Sequence, residues 1–238
     1  MIFSYSSLSE PGPRPVNEDA VGIWAQSDGR LFVAVADGLG GMGGGAIASN
    51  LAIELLSRFV SEGRSLPDDF LSIFAEINSE IIERQDDHPA NSTMATTLSL
   101  VLLDGRKLWG AHCGDTRVMI SRGNGIKRLS RDHSEAQRFL EQGKLTRQEY
   151  LEYPRKNVLY SALGGKKPLE VQTFEFDIAS GDWVLLTSDG VHQIVSTGEL
   201  RDVALGASSP DDYLSRLREI LAEKELGDNY SAVVVRAD

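Results

Sequence analysis

One pattern constrains this chain more than any other. An apolar run of strand character ends, and an aspartate stands immediately beside glycine or asparagine. It occurs as Val33-Ala34-Val35-Ala36-Asp37-Gly38, as His112-Cys113-Gly114-Asp115, as Leu186-Thr187-Ser188-Asp189-Gly190, and as Gly227-Asp228-Asn229 before the last apolar run. Asn17-Glu18-Asp19 precedes the first strong run. A single Asp-Gly or Asp-Asn is an ordinary turn sequence. For the set, that reading weakens, because acids at the ends of adjacent strands converge on one edge of a sheet sandwich. Bare carboxylates at close range repel and raise one another's pKa, and divalent cations relieve the repulsion. The glycines permit turns tight enough for a backbone carbonyl to join the coordination.

The donor types select the metal. There is no cysteine pair and no His-x-x-x-His, and the four histidines are scattered at 88, 112, 133 and 192. All-oxygen sites favour hard ions, magnesium or manganese, over zinc. Two such ions about 3.5–4 Å apart bind a phosphate ester and activate water for in-line attack. Arg14, upstream of Glu18, offers a fork-shaped partner for phosphate oxygens.

Strand-like runs cover residues 20–25, 31–36, 94–103, 108–112, 117–121, 169–176, 183–187 and 231–235, bounded by Gly, Asp or Asn. Many are apolar throughout, which implies sheets covered on both faces. Helical spacing spans 46–60 through Ile47, Leu51, Leu55 and Phe59, and 68–84 through Leu71, Ala75, Asn78 and Ile82. Further helices are expected at 211–223 and near 197–205, the latter with a partial capping box beginning at Thr197. The polar stretch 134–154 reads as irregular or short-helical. This order is not the alternation of a doubly wound sheet; it fits an α+β arrangement of mainly antiparallel sheets with helices outside. No repeat or linker divides residues 1–238, so one domain is expected.

Composition narrows the function. The 238 residues carry 35 acids and 24 bases, a net charge of −11. Such a surface repels nucleic acid and anionic lipid, and the longest cationic stretches are pairs such as Arg155-Lys156. One cysteine, Cys113, excludes a disulfide framework and fits a cytoplasmic address. The N-terminus lacks a signal-peptide pattern, and no apolar stretch reaches the length of a membrane span.

Several segments in order carry a resemblance. Arg14-Pro15-Val16-Asn17-Glu18-Asp19, Asp37-Gly38-Leu39-Gly40-Gly41, Met94-Ala95-Thr96-Thr97-Leu98, Gly114-Asp115-Thr116-Arg117, Ser188-Asp189-Gly190 and Asp228-Asn229-Tyr230-Ser231 resemble the motifs of the metal-dependent protein phosphatases. These are the type 2C Ser/Thr phosphatases, or PPM family, here of the bacterial stand-alone type. Leu129-Ser130-Arg131-Asp132-His133-Ser134 is similar to a further bacterial segment. The resemblance implies a four-layer αββα sandwich and a Mn(2+)- or Mg(2+)-dependent enzyme acting on phosphoserine and phosphothreonine in proteins. Asp37 would bridge two metals, with Glu18 and the Gly38 carbonyl on one and Asp189 and Asp228 on the other. Asp115 would hold a weaker third metal with Asp189. Arg14 would bind the substrate phosphate, Asp19 would orient waters, and Thr97 would support them. The stretch from about 134 to 165 would be a flap beside the site. The implied counterpart is a Hanks-type Ser/Thr kinase, and a monomer is expected.

Two positions depart from the family pattern. Leu39 stands where many eukaryotic members carry a histidine proposed as the general acid, and Ala95 replaces a usual glycine.

Rival readings follow from other features. Gly38-Leu39-Gly40-Gly41-Met42-Gly43 matches G-x-G-x-x-G, which would make a dinucleotide-binding oxidoreductase, but no second parallel strand ending in an acid follows. A non-catalytic phosphoprotein-binding relative should have lost metal ligands, and Glu18, Asp37, Asp189 and Asp228 are all present. His112, Cys113, His133, His192 and the three tryptophans read as packing residues. Asn91-Ser92-Thr93 is a formal glycosylation sequon without other signs of secretion.

Overall fold

The computed structural model describes residues 1–40, 44–64, 66–87 and 94–238. The glycines Gly41 and Gly43, the Asn91-Ser92-Thr93 sequon and His88 lie outside the described residues. Strands β1 (Phe3–Glu10), β11 (Tyr230–Ala237), β10 (Trp183–Thr187), β7 (Arg117–Arg122) and β8 (Gly125–Arg128) form one sheet in that order. The other sheet runs β2 (Asp19–Ala25), β3 (Leu31–Leu39), β5 (Leu98–Asp104), β6 (Lys107–Cys113) and β9 (Gln172–Asp177), with β4 (Ala95–Thr96) pairing β3. All these pairings are antiparallel.

The apolar strands divide their side chains by the period of two. In β3, Leu31, Val33 and Val35 point between the sheets, where they meet Val118, Val184 and Val233. Phe32, Ala34 and Ala36 point outward beneath α1 (Gly44–Ser61) and α2 (Phe70–Asp87). On the opposite sheet, Trp183, Leu185 and Val234 point outward against α6 (Thr197–Gly206) and α7 (Pro210–Ala222). The layers are therefore helix, sheet, sheet, helix, the expected αββα sandwich.

Local details differ from expectation. The buried face of α1 runs through Ala48, Ala52, Leu55, Leu56 and Phe59, while Ile47 is exposed. In α2 it is Phe70, Ile73, Phe74, Ile77 and Ile81 that are buried, whereas Leu71 and Ile82 face solvent. Small alanines on β3 and α1 let backbones approach closely, and a reading that weighs only large residues overlooks them. The 197–205 helix is capped by Ser196, one residue before the expected start, in a complete capping box with Glu199. The expected strand 94–103 breaks at Thr97. Strands β1 and β8 were not expected, because neither is an apolar run. The polar stretch contains two short helices, α3 (Glu135–Glu141) and α4 (Arg147–Glu152). Among the described residues no helix is long and apolar enough to cross a membrane.

Candidate active site

The β2–β3 register sets Asp19 opposite Asp37. Beyond them the backbone is fixed on several sides. Asp37 donates its N–H to Thr97 Oγ1 at 2.9 Å, and its carbonyl accepts from Thr97 N at 2.9 Å and Thr96 Oγ1 at 3.0 Å. Thr97 thus braces the Asp37 backbone. Glu18 is held through its own backbone: its carbonyl accepts from Gly38 N and Ser49 Oγ, and its N–H donates to Asn229 Oδ1 at 2.9 Å. A Cβ on Gly38 would collide with the carbonyls of Gly45 and Glu18. One on Gly45 would stand 2.9 Å from both Glu18 Oε1 and the Gly38 carbonyl oxygen. These two oxygens therefore share a hollow that only glycine leaves open.

The second sheet supplies Asp189, at the start of α5 (Asp189–His192), and Asp228, just before β11. A Cβ on Gly190 would strike the Asn229 carbonyl, so glycine is required for these two turns to meet. Between the sheets, Ser188 Oγ donates to Asp19 Oδ2 at 2.7 Å and accepts from Ser231 N at 2.9 Å. Asp115 follows Gly114, whose φ of 106° lies in the left-handed region. The Gly114 carbonyl accepts from His133 N and lies 2.9 Å from His112 Nε2, and its N–H donates to His133 Nδ1. Burial pushes His112 down to about 4 and His133 down to about 3, so both rings are neutral props for this loop.

Four of the acids, Asp19, Asp37, Asp115 and Asp189, are raised above their ordinary values. Burial raises Asp19 from 3.8 to about 6 against the opposing pull of the Ser188 and Ser231 hydroxyls, and the charges of Asp189 and Asp228 add to the rise. Desolvation, followed by the charges of Asp19, Asp189 and Asp115, holds Asp37 well above the carboxylate range. Asp115 is raised by burial, then by Asp189 and Asp132; Asp189 is raised by burial, then by Asp228. Among the described residues no three Asp, Glu, His or Cys side chains stand in a geometry that would already hold a metal ion. An all-oxygen donor set, a carbonyl oxygen beside Glu18 and acids that resist ionising together fit hard divalent cations.

Arg14 lies across the site. Its Nη2 donates to Asp228 Oδ2 at 2.9 Å and its Nε to the Gly227 carbonyl at 3.1 Å. Two clefts flank the acids and share Asn157 and Gln193. One, of about 320 Å³, includes Asp189 and Asp228. The other, of about 200 Å³, includes Asp115, Arg117, Asp132, Tyr150 and His192. His192 was expected only to pack; it reaches this cleft while its Nδ1 lies 3.1 Å from Thr187 Oγ1. Burial, then the Arg117 charge, keeps it neutral.

Three supports escaped the sequence reading. Asn229 Nδ2 donates to the Pro11 and Val16 carbonyls at 2.8 and 3.0 Å, so its amide ties the Arg14–Glu18 segment to Asp228. Ser188 joins the two sheets behind Asp19. Buried Asp132 receives Arg117 and Arg128; burial alone would raise it, but their charges hold it below its ordinary value. The Asp228-Asn229 pair is the one local signal in the sequence for Asn229.

Among the described residues, β3 is followed by α1 and α2 and then by the antiparallel β4 and β5, not by a second parallel strand, which does not fit a dinucleotide-binding fold. Comparison with known proteins agrees. A family profile described as "Protein phosphatase 2C" matches residues 14–229. The serine/threonine phosphatase stp of Listeria welshimeri is 32% identical over 79% of this chain and 77% of its own length. PppA, a regulatory component of T6SS in Pseudomonas aeruginosa, superposes with a TM-score of 0.85 at 31% identity, covering 100% of this chain and 99% of that one. The catalytic domain of the serine threonine protein phosphatase PstP, solved with two manganese ions, superposes with a TM-score of 0.86 at 27% identity, covering 100% and 99%. With its sandwich, its ring of strand-end acids and this match, the chain belongs to the protein phosphatase 2C family.

Proposed function

We propose that this protein phosphatase hydrolyses phosphoserine and phosphothreonine esters of proteins, using manganese or magnesium, and reverses the work of a Hanks-type Ser/Thr kinase. The domain acts as a monomer in the cytoplasm. The observation that carries the reading is the gathering of Asp19, Asp37, Asp115 and Asp189, each raised above its ordinary pKa, at one end of the sandwich.

Bound divalent cations would polarise the phosphate ester and lower the pKa of the attacking water. Glu18, the Gly38 carbonyl and Asp37 would hold one ion, and Asp37, Asp189 and Asp228 the other. Asp115 and Asp189 would hold a weaker third. Arg14 keeps N–H groups beyond those on Asp228 and Gly227, and its exposed fork orients phosphate oxygens. Asp19, fixed by Ser188, and Thr97, fixed to the Asp37 backbone, keep the acids in place. The protein supplies no thiolate: Cys113 is buried against Ser161, and desolvation pushes it up to about 12. In this reading water would attack the ester directly, without a phosphoenzyme. Leu39 carries no proton to give.

The test is hydrolysis of a phosphothreonine peptide and an aryl phosphate with manganese, without metal, and with excess chelator. Turnover of both, dependent on manganese, supports the reading; absence of turnover with manganese overturns it.

A further inference from the structure

Strand β9 ends its sheet, with one edge on β6 and the other open. Among the described residues, the backbone of 173–176 makes no hydrogen bond outside the β6 ladder. Against the outer face of this strand lies an open cleft of about 420 Å³, lined by Phe70, Leu71, Trp109 and Thr173 and rimmed by Asp68 and Glu175. Leu71 is 58% exposed beside it. The rim acids are poorly matched by the chain's own cations. Arg64 turns to Asp69 and Glu76 instead, and Lys107 lies 2.8 Å from Asp177 but 3.9 Å from Glu175.

We infer that this edge and cleft bind an extended, basic segment of a partner protein. The segment adds to β9 as a further strand, places one apolar side chain between Phe70 and Trp109, and sets arginine or lysine against Asp68 and Glu175. Strand addition draws affinity from main-chain hydrogen bonds and specificity from pockets that take alternate side chains. The chain's net charge of −11 favours a basic occupant. It also disfavours a second copy, since pairing two β9 edges would set Glu175 and Asp177 against like charges. The surface lies along the half of β6 away from Cys113, apart from the carboxylates. Peptide binding and phosphatase turnover therefore fail or succeed separately.

Fluorescence anisotropy tests this with a capped, labelled heptapeptide that has phenylalanine at position 4, arginine at positions 2 and 6 on the same strand face, and valine elsewhere. Saturable binding is expected. It should weaken about tenfold in the Asp68→Lys/Glu175→Lys variant, in Leu71→Lys, and when alternate peptide amides are N-methylated. Aryl phosphate turnover should be unchanged in these variants. No saturation at millimolar peptide overturns the inference, as does equal binding by the double variant, by the N-methylated peptide, or of a glutamate-substituted peptide. A dimer in sedimentation that Leu71→Lys abolishes would assign the surface to a second copy and also overturn it.

Discussion

Asp19 and Asp37 are Cα partners across the β2–β3 ladder, and the protein places Ser188, not a cation, beside the first of them. Arg14 pairs with Asp228 instead. The fold thus holds its acids together at a cost in repulsion that a metal would remove, so on the proposed function the stability of the metal-free protein and catalysis draw on the same residues in opposite directions.

Asp37→Asn separates the two effects. Turnover with manganese should fall by about 1,000-fold, the scale of removing a central electrostatic contributor. The metal-free protein should melt higher, by about 2–4 °C for each kcal/mol of repulsion relieved in a chain of this size. Kinetics and thermal melts of the same preparation check both; full activity would contradict the bridging role.

The pH dependence follows from the sign of the Asp19 shift. A folded-state pKa raised from 3.8 to about 6 means that the folded form holds its proton longer than the unfolded chain. This contribution to stability is present below about pH 4 and lost as pH rises through about 6. Metal-free melts should therefore decline across that window, and the rise in Tm on adding manganese should be larger at pH 8 than at pH 5. A manganese effect independent of pH would contradict the linkage.

Asn229→Ala removes three side-chain hydrogen bonds, to Glu18 N and to the Pro11 and Val16 carbonyls. Losing such buried partners costs about 1–3 kcal/mol. Denaturant melts should show that loss, and manganese affinity should fall as Glu18 and Arg14 lose their tether. Unchanged affinity would leave Asn229 a purely structural residue.

Arg14→Ala should raise KM for aryl phosphate with little change in Tm, because its ion pair with Asp228 is 54% and 45% exposed and such pairs contribute about 0–1 kcal/mol. Arg14→Lys should restore only part of the affinity, since an ammonium lacks the planar fork. Full rescue by lysine would show that charge alone suffices.

The candidate site was legible in the sequence where its signal is local. Asp37-Gly38, Asp189-Gly190 and Asp228-Asn229 each combine a strand end with an adjacent turn residue, and these are short-range features. Asn229 and Ser188 were not, because their partners Glu18 and Asp19 lie 211 and 169 residues away. Strand β1, Phe3-Ser4-Tyr5-Ser6-Ser7-Leu8-Ser9-Glu10, lacks an apolar pattern and owes its form to eight residues of pairing with β11. The helix faces were misread at Ile47 and Leu71 because alanines, not the largest side chains, meet β3, and because Leu71 opens onto a cleft.

Crystals soaked in manganese and measured at its absorption edge test the central claim most directly. Two strong anomalous peaks are expected, both contacting Asp37, one with Glu18 and the Gly38 carbonyl and the other with Asp189 and Asp228. No peaks at these acids, or peaks that leave Asp37 untouched, would contradict the account.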